Sequence, residues 1–470
     1  MTTPSKIQET LYSNAANKAL FEQAKEYAFT YMDTVFGRNV FPSDEAIANL
    51  KVFNESIPES SCSPEEILES LHQFGSPATV AQTGGRYFGF VNGGSIPVAL
   101  AVNWLADIWD QNAALFNTSP LVSQLEETCE KWLNELFNLP VGTAAGFVSG
   151  TSMATICGLA AGRNDLLKRR GWDVHALGLF GAPSIRIVIS EQSHATAYKA
   201  LSILGLGKDR VERVPTDQEG RILIDQLPQL DENCLVIIQA GNVNSGAFDP
   251  IEEICNRARR VNAWVHIDGA FGLWAAVSQN KKSLIKGLEK ADSWSVDGHK
   301  TLNTPYDCGI VLCKNREALI TAMQATGSYI IYSQKRDGML LTPEMSRRSR
   351  AIELWAVLKY LGRKGVEELV DSLCENAQEF ASQLTLKGFR ILNQVVLNQV
   401  LVACDDQELT KATLVNIQKS EVCWCGGTLW NGEPAIRISV CSWATTKKDI
   451  ERSVAAFEKA REKARLQINR

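Results

Sequence analysis

The stretch Ser295–Cys313, SVDGHKTLNTPYDCGIVLC, decides how the chain is read. Lys300 stands between a Gly-His step and a run of small polar residues, and Cys308 to Cys313 then reads as a short apolar strand. This is the interior of an α/β pattern. A buried ammonium is costly there unless it is paired or has lost its proton. Either Lys300 reaches solvent, or its surroundings are built to use it.

Working outward, short apolar runs alternate with helical stretches from about residue 145 to 313. The runs are IRIVIS, CLVIIQAG, AWVHIDGA and CGIVLC. That alternation predicts a mainly parallel sheet built from βαβ units, with functional loops at the strand ends. Upstream, NKALFEQAKEYAFTYMDTVF has helical apolar spacing, and SPEEILESLHQF opens on Ser63-Pro64 followed by acids, a helix start. TGGRYFGFVNGGSIP is a glycine-punctuated loop, and LVSQLEETCEKWLNELF an amphipathic helix. Downstream, SRAIELWAVLKYLGRKGVEELVDSLCENAQEFASQL predicts a long helix bridging two lobes. FRILNQ, QVLVAC and AIRISVC, interleaved with helices, predict a smaller α+β lobe that ends in KKDIERSVAAFEKAREKARLQ. The expected organisation is an N-terminal helical segment over 1–85, a large domain over 86–360 and a small domain over 361–470.

Composition narrows the classes. The chain has 470 residues, is 45% hydrophobic and carries a net charge of −5, enough apolar content for a large core and more than one lobe. With no basic patch, a nucleic-acid partner is not expected. The start, MTTPSKIQET, lacks an apolar signal core, and the apolar segment Ile96 to Trp109 is too short for a membrane span. A cytoplasmic protein without a membrane partner is expected. Its twelve cysteines then read as reduced thiols, mostly in the core. Cys423 and Cys425 in CWCGG have no second Cys/His pair at ligand spacing, so no metal is expected.

Four strand ends carry polar residues. The turn Gly150-Thr151-Ser152 would present N–H groups and two hydroxyls at a helix N-terminus, which suits a phosphate, although an ordinary capped helix looks the same. His194 falls just past a strand, as a cap, a surface residue or a flat cover for a ring. Asp268 ends the strand AWVHID, where a buried carboxylate wants a cation and a cap or metal ligand is the plainer reading. The small residues Gly269 and Ala270 leave room for something bulky near the backbone. Lys300 follows by one βαβ step. Strand ends of neighbouring units converge on one crevice, and the four features together have a common reading in pyridoxal 5′-phosphate. Its aldehyde needs a lysine, its ring nitrogen a carboxylate, its phosphate N–H and hydroxyl donors, and its ring a flat cover. Lys300 is then a lysine placed to lose its proton and react.

With RYFGF, SGTSMATICGLAAGR, SEQSHATAYKAL, HIDGAFG, VDGHK, TPEMSRRSRAIELWAVLKYLG and IRISVCSW in this order, the chain resembles the group II pyridoxal-phosphate-dependent amino-acid decarboxylases, over nearly its whole length. The resemblance implies the aspartate-aminotransferase-like fold, type I, and α-decarboxylation of an aromatic or acidic L-amino acid. It implies Lys300 as the Schiff-base lysine, Asp268 as partner of the ring nitrogen with Ala270 near the ring, and His194 as the stacking histidine. Gly150, Thr151, Ser152 and His299 would hold the phosphate. Tyr87 and Phe88 would face the substrate, and Arg86 is either a candidate for a side-chain acid or a surface or dimer salt bridge. A loop tyrosine, Tyr332 ahead of Tyr329, would deliver the proton to the substrate carbon. The resemblance also implies a homodimer with its site at the interface.

VDGHK departs from the family's usual spelling, which has Asn or Asp and then Pro before His-Lys. Asp297 beside a phosphate would repel it unless it turns away or a donor screens it. Arg437 either faces the site or braces the small lobe, and bracing is the expectation. Two rival readings stay open: a carbon–carbon lyase on the same scaffold, like sphingosine-phosphate lyase, and a non-catalytic dimeric scaffold. An aldehyde-forming oxidative variant is a further possibility, tied to the loop tyrosine. A nicotinamide dehydrogenase is disfavoured, because GGRYFGFVNGG lacks the strand–GxGxxG–helix setting.

Overall fold

A computed structural model describes residues 5–325 and 327–469. Met1–Pro4, where part of the reading of the chain's start falls, lie outside the described residues, as do Thr326 and Arg470. Seven strands form the main sheet: β1 (Ala144–Val148), β2 (Arg186–Ser190), β3 (Val211–Val214), β4 (Cys234–Gln239), β5 (Trp264–Asp268), β6 (Ser293–Asp297) and β7 (Gly309–Cys313). Their order is β1-β7-β6-β5-β4-β2-β3. β2 to β6 pair in parallel, while β7 runs antiparallel to both β6 and β1. The two runs CLVII and GIVLC lie wholly buried, the pattern of strands covered on both faces.

The βαβ rhythm is borne out, except at β3, whose VERV is no apolar run, at β6 and in the link from β5 to β6. β6 comes from SWSVD, which alternates polar and apolar residues rather than forming an apolar run. Its Ser293 and Ser295 are nevertheless fully buried, because they bond to other buried polar groups. The link from β5 to β6 is not an α-helix but three 3₁₀ turns between Gly272 and Lys290. Lys300 therefore follows Asp268 by one strand, but without the expected crossover helix.

The long predicted helix runs from Ala351 to Leu386 and breaks its geometry at Gly362, where φ is 60°. A left-handed backbone there suits glycine. Beyond it, β8 (Arg390–Ile391), β9 (Gln399–Ala403), β10 (Gly426–Trp430) and β11 (Glu433–Ser439) form an antiparallel sheet, order β10-β11-β9-β8. A helix from Lys447 to Ile468, opened by a capping box between Thr446 and Asp449, closes the chain. Cys423 and Cys425 are buried in the apolar core of this lobe. Among the described residues no group of three or more His, Cys, Asp or Glu could hold a metal.

At the other end, helices cover Lys6–Ala16, Lys18–Thr34, Asp44–Asn49 and Pro64–Ser70, none with a buried residue. The apolar segment forms a helix from Pro97 to Trp109. Among the described residues no helix is long and apolar enough to cross a membrane.

Candidate active site

β1 to β6 all point the same way, so their C-terminal ends share one edge of the sheet. β7 is reversed, and that edge receives its start instead. A cavity of about 400 Å³ lies along this edge, within the range that holds a cofactor-sized ligand. Gly150, Thr151 and Ser152 line it from the turn after β1, His194 from beyond β2 and Gln239 from the end of β4. Asp268 and Ala270 line it from β5, and Asp297, His299 and Lys300 from β6. The positions expected to bind the cofactor are thus brought to one cavity.

Lys300 Nζ lies 2.9 Å from Asp297 Oδ2. The same carboxylate is fully buried, stands 3.6 Å from His299 Nε2 and accepts the Thr151 N–H at 2.6 Å. Burial alone would raise the Asp297 pKa. The Lys300 ammonium, His299 and the Thr151 hydrogen bond outweigh it and hold the carboxyl below its ordinary value. His299 is oriented from behind, its Nδ1 accepting the Cys308 N–H at 3.0 Å, and the Tyr306 ring lies against it at 4.4 Å. Burial lowers its pKa, opposed by Asp297.

His194 caps the helix Ala195–Ile203 and also lines the cavity. Its Nδ1 meets Thr196 Oγ1 at 2.7 Å, and its backbone N–H reaches Gln239 Oε1 at 3.2 Å. Of the readings open in sequence, the cap is the one observed, and the imidazole also lines the cavity where a ring cover would stand. Burial lowers its pKa, with Asp268 opposing. Asp268 is buried and accepts the Ala270 N–H at 3.2 Å. Burial raises its pKa, and His194 and Lys300 only partly offset that. A cationic ring nitrogen would supply the missing partner. Thr151 Oγ1 is buried without a hydrogen-bond partner, a donor of the kind a phosphate takes. On both counts the residues present fit pyridoxal phosphate.

The lysine turn is held by Asn303, which sequence reading passed over as one of a polar run. Its side chain donates to the carbonyls of Lys300 (3.1 Å), Thr301 (2.8 Å) and Cys441 (3.0 Å). Its Oδ1 accepts the N–H of Gly94 at 2.6 Å and of Trp443 at 3.0 Å. One amide thus ties together the lysine turn, the glycine loop and the small lobe. Gly93 has no room for a side chain, since a Cβ would lie 2.2 Å from the Lys300 carbonyl. Tyr306, Phe90, Val91, Phe271, Val243 and Gln239 also line the cavity and were missed or left without a role. Tyr306 had a signal, six residues after the lysine and just before β7. For Phe90 and Val91 the signal is conformational: both have positive φ, 52° and 62°, which no residue pattern announces.

None of the expected substrate-side residues lines this cavity. Arg86 is 3% exposed. Its guanidinium donates to the carbonyls of Val422 and Arg38 and lies 3.5 Å from Asp449, away from the cavity. Phe88 is buried against Phe380 in the small-lobe core, and Tyr87 stacks on Trp424. Arg86 and Phe88 turn inward, and the positive φ at Phe90 and Val91 breaks their side of the loop and leaves Phe90 at the cavity. Tyr332 and Tyr329 do not line the cavity of their own chain. The Tyr332 hydroxyl donates to the Ala325 carbonyl at 2.6 Å, and Tyr329 is 77% exposed. Arg437 donates to the Val243 carbonyl at 3.4 Å, bracing the cavity wall from behind.

Residues 48–403 match the model of the pyridoxal-dependent decarboxylase conserved domain. The chain is 26% identical over 410 residues to an aromatic-L-amino-acid decarboxylase of Bacillus atrophaeus, covering 84% of this chain and 83% of that one. It is 30% identical over 294 residues to an aspartate 1-decarboxylase of Aliivibrio fischeri, covering 56% and 53%. The crystal structure of Oryza sativa TDC with PLP and tryptamine superposes with a TM-score of 0.87 at 19% identity, over 98% of this chain and 99% of that one. Mouse CSAD in apo form superposes at 0.86 with 20% identity, over 95% and 99%. The shared architecture is fold type I.

Proposed function

This chain belongs to the pyridoxal-dependent decarboxylases, and we propose that its substrate is an aromatic L-amino acid. It is a pyridoxal-phosphate enzyme that decarboxylates an amino acid, as the family match and its relatives establish. The substrate class rests on the cavity wall. Phe90, Val91, Val243, Phe271 and Tyr306 line it, and the arginine that would recognise a side-chain acid, Arg86, has its donors committed elsewhere.

Bound pyridoxal phosphate supplies a ring that accepts the electron pair released when the Cα–carboxylate bond breaks. Lys300 would hold its aldehyde, Asp268 its ring nitrogen and His194 one ring face. Thr151, Ser152 and His299 would hold its phosphate. Asp268, kept from water, stays in place as a fixed counter-charge at no cost of reorganisation during the reaction. Because Tyr332 stands outside its own cavity, the proton it would deliver belongs to a cavity in a second subunit.

That second subunit is a copy of this chain. Leu11, Phe21, Phe29, Trp104, Ile108 and Trp109, on helices near the N-terminus and on Pro97–Trp109, are all exposed, more apolar surface than a lone soluble chain usually shows. The test is carbon dioxide release from the cofactor-loaded protein offered aromatic, acidic and aliphatic L-amino acids as separate pools. Release confined to the aromatic pool is expected. Release confined to the acidic pool would overturn the substrate assignment while leaving decarboxylation intact.

A further inference from the structure

Asp297 is the one cavity carboxylate that a ring nitrogen does not call for. It is 2% exposed and sits at the phosphate end of the cavity, because its Oδ1 takes the N–H of Thr151. That N–H is the first donor of the helix Thr151–Lys168, the group an anion at this helix start would use. A Cβ on Gly150 would lie 3.4 Å from His299 Cε1 and 3.6 Å from Asp297 Oδ1. Turn, histidine and carboxylate thus border one small space. Asp297 also holds Lys300 at 2.9 Å and faces His299 at 3.6 Å. The remaining ionisable groups lining the cavity are Asp268, His194 and Tyr306, whose ring lies against His299.

Given the cofactor reading above, on which this rests, we propose that Asp297 competes with the cofactor's phosphate for the Thr151 N–H, so that the phosphate binds as its monoanion and the cofactor is held loosely enough to exchange. Two anions cannot share one donor at close range without a proton between them. The phosphate's second ionisation lies near neutral pH. The monoanion keeps that proton on oxygen and donates it to the Asp297 carboxylate, and no other bond changes. The Thr151 hydroxyl, buried and unpartnered, supplies a donor for which Asp297 does not compete.

The experiment compares binding of pyridoxal phosphate and of pyridoxal, which lacks the phosphate, to the wild-type apoenzyme and to Asp297→Asn, by equilibrium dialysis. Removing one of two opposed charges in a partly desolvated site is worth about tenfold or more in affinity. Asp297→Asn is therefore expected to lower the Kd for pyridoxal phosphate by about tenfold or more and to change that for pyridoxal much less. Asp297 also pairs with Lys300, so any effect through the lysine moves both ligands equally and cancels in the comparison. Equal gains for the two ligands, or no gain for pyridoxal phosphate, would overturn the proposal. Phosphorus NMR of the loaded wild type decides independently, even where the variant fails to fold. A resonance at the monoanion position near neutral pH is expected, and one at the dianion position rules the proposal out. A wild type that binds no pyridoxal phosphate at all would instead refute the cofactor reading itself.

Discussion

Lys300 answers the question its position raises: it is neither free in solvent nor alone in the core, but paired with Asp297 beside a cavity. Lys300→Ala removes the only amine lining that cavity among the described residues. Turnover should fall by about a thousandfold or more. Borohydride reduction followed by intact-mass measurement should find no cofactor fixed to the chain. Activity near that of the wild type would refute the assignment. Asn303 acts on the same turn without lining the cavity. Its φ of 57° is tolerated better by asparagine than by most residues. Asn303→Ala strips five hydrogen bonds from backbone groups, three of them in buried pairs, and should cost about 3 kcal/mol in urea unfolding. It should also speed cofactor loss, which an effect on stability alone would not do.

Among the elements, the helix Pro120–Leu136 is joined to the segment that carries Tyr332 by buried charges. Glu126 pairs with Arg347 at 2.6 Å and with Arg336 at 3.0 Å, and Arg336 reaches Glu130 at 2.7 Å. Arg336 follows Tyr332 by four residues, so this cluster fixes where the tyrosine segment leaves the domain. Burial alone would raise the Glu126 pKa, but Arg347 and Arg336 outweigh it and leave the carboxyl below its ordinary value. The sign follows from linkage. This stabilisation is complete above the unfolded glutamate value of about 4.3 and is lost as pH falls through the lower folded-state value. Glu126→Gln leaves Arg347 uncompensated and Arg336 with Glu130 alone, and should cost about 3–5 kcal/mol near neutral pH. The deficit should shrink toward acid pH, as thermal melts across the acid range would show. A deficit independent of pH would mean that Glu126 contributes packing and not charge.

At the scale of the whole molecule, the apolar surface of the first helices predicts assembly. Light scattering should give twice the chain mass. Removing residues 1–34 should give a monomer that has lost nearly all activity, because interfaces of obligate dimers commonly exceed about 2,000 Å² and contribute to their sites. A fully active monomer would show that the cavity described here is complete in one chain. Most of this architecture was legible in the sequence. Apolar runs spaced by helices announce strands buried on both faces, and a strand end announces a place for chemistry. β6 was not legible as a strand, because its buried serines read as polar surface until the Trp264 indole, His266 and Thr155 are seen to satisfy them. The reversed direction of β7 was not legible either, since pairing sense leaves no mark on composition.

The sequence by itself determined the family, the cofactor and the order of Thr151, His194, Asp268 and Lys300 along the chain. Each is a residue whose chemistry is local to a strand end, and local signals survive without coordinates. Only the tertiary structure decided where the loop residues point. Arg86, in sequence equally a hand for an acidic substrate or a salt bridge, is a buried brace beside Asp449. Phe90, and not Phe88, lines the cavity, and Asp297 came to rest on the Thr151 N–H, 146 residues away in the chain. Orientation is set by which partner a side chain finds across the fold, and that partner is not encoded in its neighbours.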